Sequence, residues 1–382
     1  MNGDFRMKNT KIQRFLAADE AIIITGSLNC NPDDRYLNRE DIHPVQIFMD
    51  GELRPIPYFD SWGDYGASSF SWLKTDSNKF FFTTGDTIFQ FDTTEGTWQS
   101  LADLRLKDVH EMALIENKLW ISNTGFDEVM AIDPMSNEVS HRIALKMLQN
   151  KSQVEQLSAT KEETTTVDKF HCNQVTQSYE GDVLALVHHT SGQQIIRKVA
   201  NKLIKNQGNG GVINISTGES IDLKLKSPHS IRLIDGNYWI FDSGNSRIHI
   251  YDQQWQLIDK IASAGFGRGG DLTESGVYCA GISETRKRYL NLIKGGKKVP
   301  NMLQFFSTSE HKLLGEMIIR DIEQINNVYV VKREKAEQLL QLGSNDTDHF
   351  SSHNHFGNNV ENNMESYVDS LMAVFSATER TR

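Results

Sequence analysis

Apolar residues in this chain come in short bursts separated by Gly, Asn and Asp rather than in long helical stripes. The clearest unit spans 228–252. An apolar-rich run from Pro228 reaches an Asp235-Gly236 turn, a second run carries Tyr238-Trp239-Ile240-Phe241, and Ser243-Gly244-Asn245 leads into a third run ending at Asp252. Strand-sized runs joined by such turn residues predict antiparallel hairpins. A second copy starts at His110, with Glu116-Asn117 and Thr124-Gly125-Phe126-Asp127 as its turns. Weaker copies start near Ser71, at His171 and near Cys279.

These starts are 39, 61, 58 and 50 residues apart. A recurring three- or four-strand unit of about 40–60 residues is the signature of propeller blades. An N-terminal unit at 21–25 and 45–49 raises the number to about six, and the run 328–331 is placed to close the ring against it. The prediction is an all-β propeller over 1–332, followed by a helical C-terminal tail over 333–382; a solenoid or a sandwich is the alternative. The polar stretch 150–166 reads as an insertion. In the tail, 333–342 has helical character, the Ser/Asn/Asp/His-rich run 343–359 reads as a linker, and Val360, Met364, Val368, Leu371, Met372 and Phe375 fall at helical spacing. That last helix either docks on a blade edge or recognises a protein partner.

Composition narrows the function. With 40 Lys+Arg against 50 Asp+Glu the net charge is −10, which argues against a nucleic-acid platform. No apolar run is long enough to span a membrane. The polar N-terminus carries no leader-like apolar segment. The odd set Cys30, Cys172 and Cys279 reads as reduced thiols, and together these features predict a cytoplasmic protein.

Candidate chemistry comes from the repeat starts, which carry Ser71, His110, His171, His229 and Cys279. First strands of blades line the channel, so His110, His171 and His229 are expected at one mouth. Convergent imidazoles there hold a divalent metal (Zn, Fe, Mn or Ca) or act directly as acid and base. Glu111 and His110 are the candidate catalytic pair; Asn173, Arg268 and Arg286 are the candidate substrate-binding residues. The run Gly265-Phe266-Gly267-Arg268-Gly269-Gly270 is not a Gly-x-Gly-x-x-Gly fingerprint, so no nucleotide cofactor is expected. Arg268 within it is placed to orient an anionic substrate. His349, His353 and His355 are assigned to the tail linker.

The segment 242–252, with Asp242-Ser243-Gly244-Asn245-Ser246-Arg247-Ile248, resembles the blade-closing pattern of NHL-type propellers. More broadly, His171-Cys172-Asn173, Gly210-Gly211-Val212-Ile213, Ser227-Pro228-His229-Ser230 and Gly281-Ile282-Ser283-Glu284-Thr285-Arg286 resemble a bacterial propeller family, DUF4915, over about 105–330. That family has no assigned activity. Gluconolactonase-like hydrolases and the streptogramin lyase, related propellers, place a metal at the axis, so the resemblance implies one here by analogy. Two functions follow: a metal-assisted hydrolase or lyase acting on a small polar metabolite or modified peptide, or a non-catalytic module binding a protein or glycan.

Overall fold

The structure is a computed structural model that describes residues 10–29, 31–62, 66–73, 78–101, 104–148, 168–192, 208–284 and 298–342. Its strands form six four-stranded antiparallel sheets, the blades of a propeller. Blade I joins both ends of the ring: β1 (Glu20–Ser27), β2 (Val45–Met49) and β3 (Glu52–Pro55) add to β24 (Gln324–Lys332) in the order β24-β1-β2-β3. The other blades use strands consecutive in sequence. Their inner strands are β4 (Ser69–Trp72), β8 (Val109–Ile115), β12 (Cys172–Gln177), β16 (Pro228–Ile234) and β20 (Phe266–Leu272), in blades II to VI. The expected closure holds: β24 pairs with β1 from Glu20↔Lys332 to Ser27↔Gln324.

The fifth repeat is a correction. Cys279 lies on β21 (Val277–Ser283), the second strand of blade VI, and is fully buried in the core between blades VI and I. The glycine-rich run 265–270 supplies that blade's inner strand instead. Glycine is required there sterically. A Cβ on Gly267 would meet the Phe241 ring at 2.0 Å, and one on Gly270 would meet Tyr278 Oη at 2.3 Å. The α-helix Arg333–Leu342 follows β24 as expected, with Ala336 and Leu339 buried. The stretch 150–166, the tail helix and its histidines lie outside the described residues. No helix among the described residues is long and apolar enough to cross a membrane.

Hydrophobic burial occurs between neighbouring blades. Ile121 and Met130 of blade III pack with Phe81 of blade II, and Ile240 of blade V packs with Leu186 and Val212 of blade IV. Facing sheets exclude water from the strand faces, while the inner-strand residues that look down the channel are polar. These residues hydrogen-bond from blade to blade. Glu111 of blade III accepts from Gln174 of blade IV at 2.9 Å and from Arg232 of blade V at 3.2 Å. Gln174 accepts the Ile231 N–H of blade V at 2.6 Å. Asp271 of blade VI accepts the Val330 N–H of blade I, and Tyr329 of blade I donates to Ser69 of blade II at 3.0 Å.

Five inner strands carry a β-bulge near one mouth. His110 and Glu111 together face Ser122 between the pairs Val109↔Asn123 and Met112↔Ile121. Asn173 is the extra residue in β12, Ser230 in β16 and Asn326 in β24, while Arg268 and Gly269 together face Gly281. A bulge bends its strand and redirects side chains. It also leaves backbone donors off the ladder, and neighbouring blades satisfy several of them: Ser69 Oγ accepts from Met112 N–H, and Ser283 Oγ from Ile325 N–H.

Two outcomes test this architecture. Arg232→Met strands the buried Glu111 carboxylate and is expected to cost about 3–5 kcal/mol in denaturant unfolding, whereas Glu111→Met combined with Arg232→Met costs much less. Ile325→Ala, in the closing strand and fully buried, is expected to cost about 2–5 kcal/mol; Leu233→Ala, 40% exposed, changes stability by about 0.5 kcal/mol or less.

Candidate functional site

The bulged mouth gathers four imidazoles. His110 and His229 are the second residues of β8 and β16. His171 immediately precedes β12 and adopts a left-handed conformation with φ 53°. The Asp127 carboxylate of blade III fixes it there, accepting the backbone N–H groups of Lys169, Phe170 and His171. The chain turn, rather than strand alternation, therefore delivers the His171 ring. Cys172, next along, is fully buried in the core between blades III and IV.

The fourth imidazole, His188, follows β13 (Val183–Val187) and was not singled out by the repeat starts. Antiparallel pairing puts the end of a second strand beside the start of the first, and His188 N–H donates to His171 O. The His188-His189 pair after a strand was the available signal; attention to first strands alone passes over it. Ring centroids run His110–His171 5.1 Å, His171–His188 4.2 Å and His188–His229 5.3 Å. Phe266 of blade VI continues the arc 5.1 Å from His229.

The ring nitrogens are used unequally. Nδ1 of His110 faces the Asp108 carbonyl at 2.9 Å, Nδ1 of His229 faces the Ser227 carbonyl at 3.0 Å, and Nδ1 of His171 faces the Asp168 carboxylate at 2.6 Å. A carbonyl partner requires Nδ1 to carry the proton, which leaves Nε2 as the lone-pair atom. Nε2 of His188 and of His229 is buried without a hydrogen-bond partner. Burial pushes both rings well below the ordinary histidine value; the neighbouring His171 adds to this at His188, and the Arg268 charge adds at His229. Burial also lowers His110, against the opposing pull of Asp108. His110, His188 and His229 are therefore neutral at pH 7 and able to accept a proton or a metal.

The other predicted residues separate. Glu111 sits below the imidazoles, bound to Arg232 and Gln174. Burial raises its carboxyl value while Arg232 opposes the rise, so Glu111 acts as the Arg232 counterion in the channel wall. Asn173 donates to the Pro228 carbonyl at 2.6 Å, and its Oδ1 is buried without a partner. Arg268 reaches the site, its guanidinium 5.6 Å from the Phe266 centroid. Arg286 lies outside the described residues.

Among the described residues, no three His, Cys, Asp or Glu side chains already converge as a ligand set. Neutral imidazole nitrogen is a donor for Zn or Fe, whereas Ca requires a shell of oxygens that the four rings do not supply.

No curated protein matches the chain. Among solved structures, a protein of unknown function from Bacteroides caccae is 11% identical, with 82% of this chain and 99% of that one covered at a TM-score of 0.51. A chain of a nidogen/laminin complex is 8% identical over 82% and 99%, at 0.49. Virginiamycin B lyase from Staphylococcus aureus is 11% identical over 66% and 70%, at 0.40. The first likeness bears on the fold alone. By sequence, the model of a domain of unknown function, DUF4915, matches residues 105–339. That span holds β8 to β24, all four mouth histidines and most of the Arg333–Leu342 helix, and the chain belongs to the DUF4915 family.

Proposed function

We propose that the histidine-lined mouth is a catalytic site that hydrolyses, or eliminates a group from, a small polar metabolite or modified peptide. The observation that carries this reading is the pair of buried, unpartnered Nε2 atoms on His188 and His229. An unsatisfied buried acceptor costs about 1–3 kcal/mol, and two of them in an arc of four imidazoles on blades III, IV and V are not needed to close a propeller. Their arrangement supports a site that receives a partner from outside the chain.

His110, His171 and His229 are the residues that hold a divalent ion in this proposal, with His188 beside them. When bound, the ion supplies Lewis-acid polarisation of a carbonyl and lowers the pKa of bound water. The chain's own residues supply the rest. Asp108, Asp168 and Ser227 hold Nδ1 of His110, His171 and His229, which leaves Nε2 of each ring for the ligand. An imidazole not engaged by metal accepts a proton at Nε2 and returns it to the leaving group. In the metal-free alternative His110, beside the exposed Asp108 carboxylate, is suited to that exchange. Glu111 supports the floor through Arg232 rather than meeting substrate.

Metal analysis of the purified chain is expected to give about one equivalent of Zn or Fe, lost in His171→Ala and His229→Ala. Absence of stoichiometric metal from both aerobic and anaerobic preparations contradicts the metal part and leaves acid–base chemistry. In that case the module reading is favoured if every histidine variant still retains a captured protein or glycan.

Proton linkage gives a second check. His188 and His229 have folded values below the unfolded one. The unfolded chain therefore binds more protons, and the stability present at pH 7 is lost as pH falls through about 6.5 towards the folded values. Thermal unfolding of metal-free protein between pH 7 and 5 is expected to show that loss, and His229→Gln is expected to flatten it.

A further inference from the structure

We propose that Arg268 anchors an anionic group of the substrate, a carboxylate or a phosphate, across the channel mouth from His110. The inference rests on the catalytic reading above and adds the class of molecule the site takes.

The construction of β20 isolates this one side chain. Between the ladder pairs Gly267↔Ile282 and Gly270↔Ala280, Arg268 and Gly269 oppose Gly281 alone. Every other residue from 267 to 270 is glycine, and each is pressed against a neighbour. A Cβ on Gly269, at φ +66°, would meet Asn327 Cα at 2.5 Å, and one on Gly281 would meet the Arg268 carbonyl at 2.3 Å. Residues 267–270 thus carry one side chain only, a guanidinium at the bulge. Phe266 supports it, with its ring between Arg268 and His229.

Arg268 belongs to blade VI; its guanidinium lies 5.6 Å from the Phe266 centroid, and that ring is 5.1 Å from His229 of the adjacent blade V. Its charge also disfavours the protonated form of His229 and of His110 on blade III, opposite in a six-blade ring. The carboxylates Asp108 and Asp168 lie against Nδ1 of His110 and His171. A planar guanidinium grips carboxylate or phosphate through paired N–H donors. An anion seated on it leaves the rest of a small substrate lying towards the imidazoles, where the bond is cleaved.

The test is calorimetric titration of the full chain with inorganic phosphate and, separately, with acetate. Whichever anion binds, Arg268→Gln is expected to weaken it at least about tenfold, and Arg268→Lys to give an intermediate loss because charge survives without the paired donors. The relative affinity for the two anions identifies the group. His171→Ala is expected to lose metal while keeping the Arg268-dependent part of anion binding, so failure of the metal proposal does not mimic failure of this one. Unchanged binding in both Arg268 variants, or no binding of either anion to the native chain at tens of millimolar, overturns the inference.

Discussion

The interaction on which the rest of this molecule depends is the ion pair between Glu111 and Arg232 at the channel axis. Six inner strands converge there, and the backbone groups and side chains facing inward have no sheet to pack against. Leaving one charge buried without its partner costs several kcal/mol, while a fully satisfied network rigidifies what surrounds it. Residues from all six blades meet this demand, from Ser69 of blade II to Tyr329 of blade I. The apolar layers between blades hold neighbours together; the axial network sets the register of the inner strands with respect to one another.

That register explains the mouth. Strands pinned at the axis must spread at one end, and five of them do so through a bulge. Each bulge takes a residue out of alternation: His110 with Glu111, Asn173, Ser230, Arg268 with Gly269, and Asn326. Glu111 belongs to both systems. It is the buried charge paired with Arg232 and the bulge partner of His110.

Much of the fold was legible because turn chemistry repeats. Asp235-Gly236, both left-handed, and the 3-10 turn Ser243-Gly244-Asn245, ended by left-handed Ser246, have a physical reason to recur, since a blade strand reverses at each. Closure by the last strand was equally visible, because 328–331 is a β-branched and aromatic run with no other partner left. The inner strand of blade VI was hidden because glycines give no apolar pattern; their purpose is to admit Phe241, Tyr278 and Asn327 from outside the strand, which no local window displays. That absence shifted the fifth repeat to Cys279.

For the site, the recurrence of histidine at blade starts found three rings of the four, though for unequal reasons. His110 and His229 are equivalent strand residues, whereas His171 is a turn residue held by Asp127. His188 was missed because its position is a consequence of antiparallel pairing with His171 rather than of repeat phase. The most direct measurement is an anomalous difference map from crystals of the full chain, collected at the zinc and iron edges. The account predicts a peak about 2.0–2.1 Å from Nε2 atoms of the mouth histidines. A map without such a peak, in which Nε2 of His188 and His229 is capped by groups of the chain itself, would contradict it.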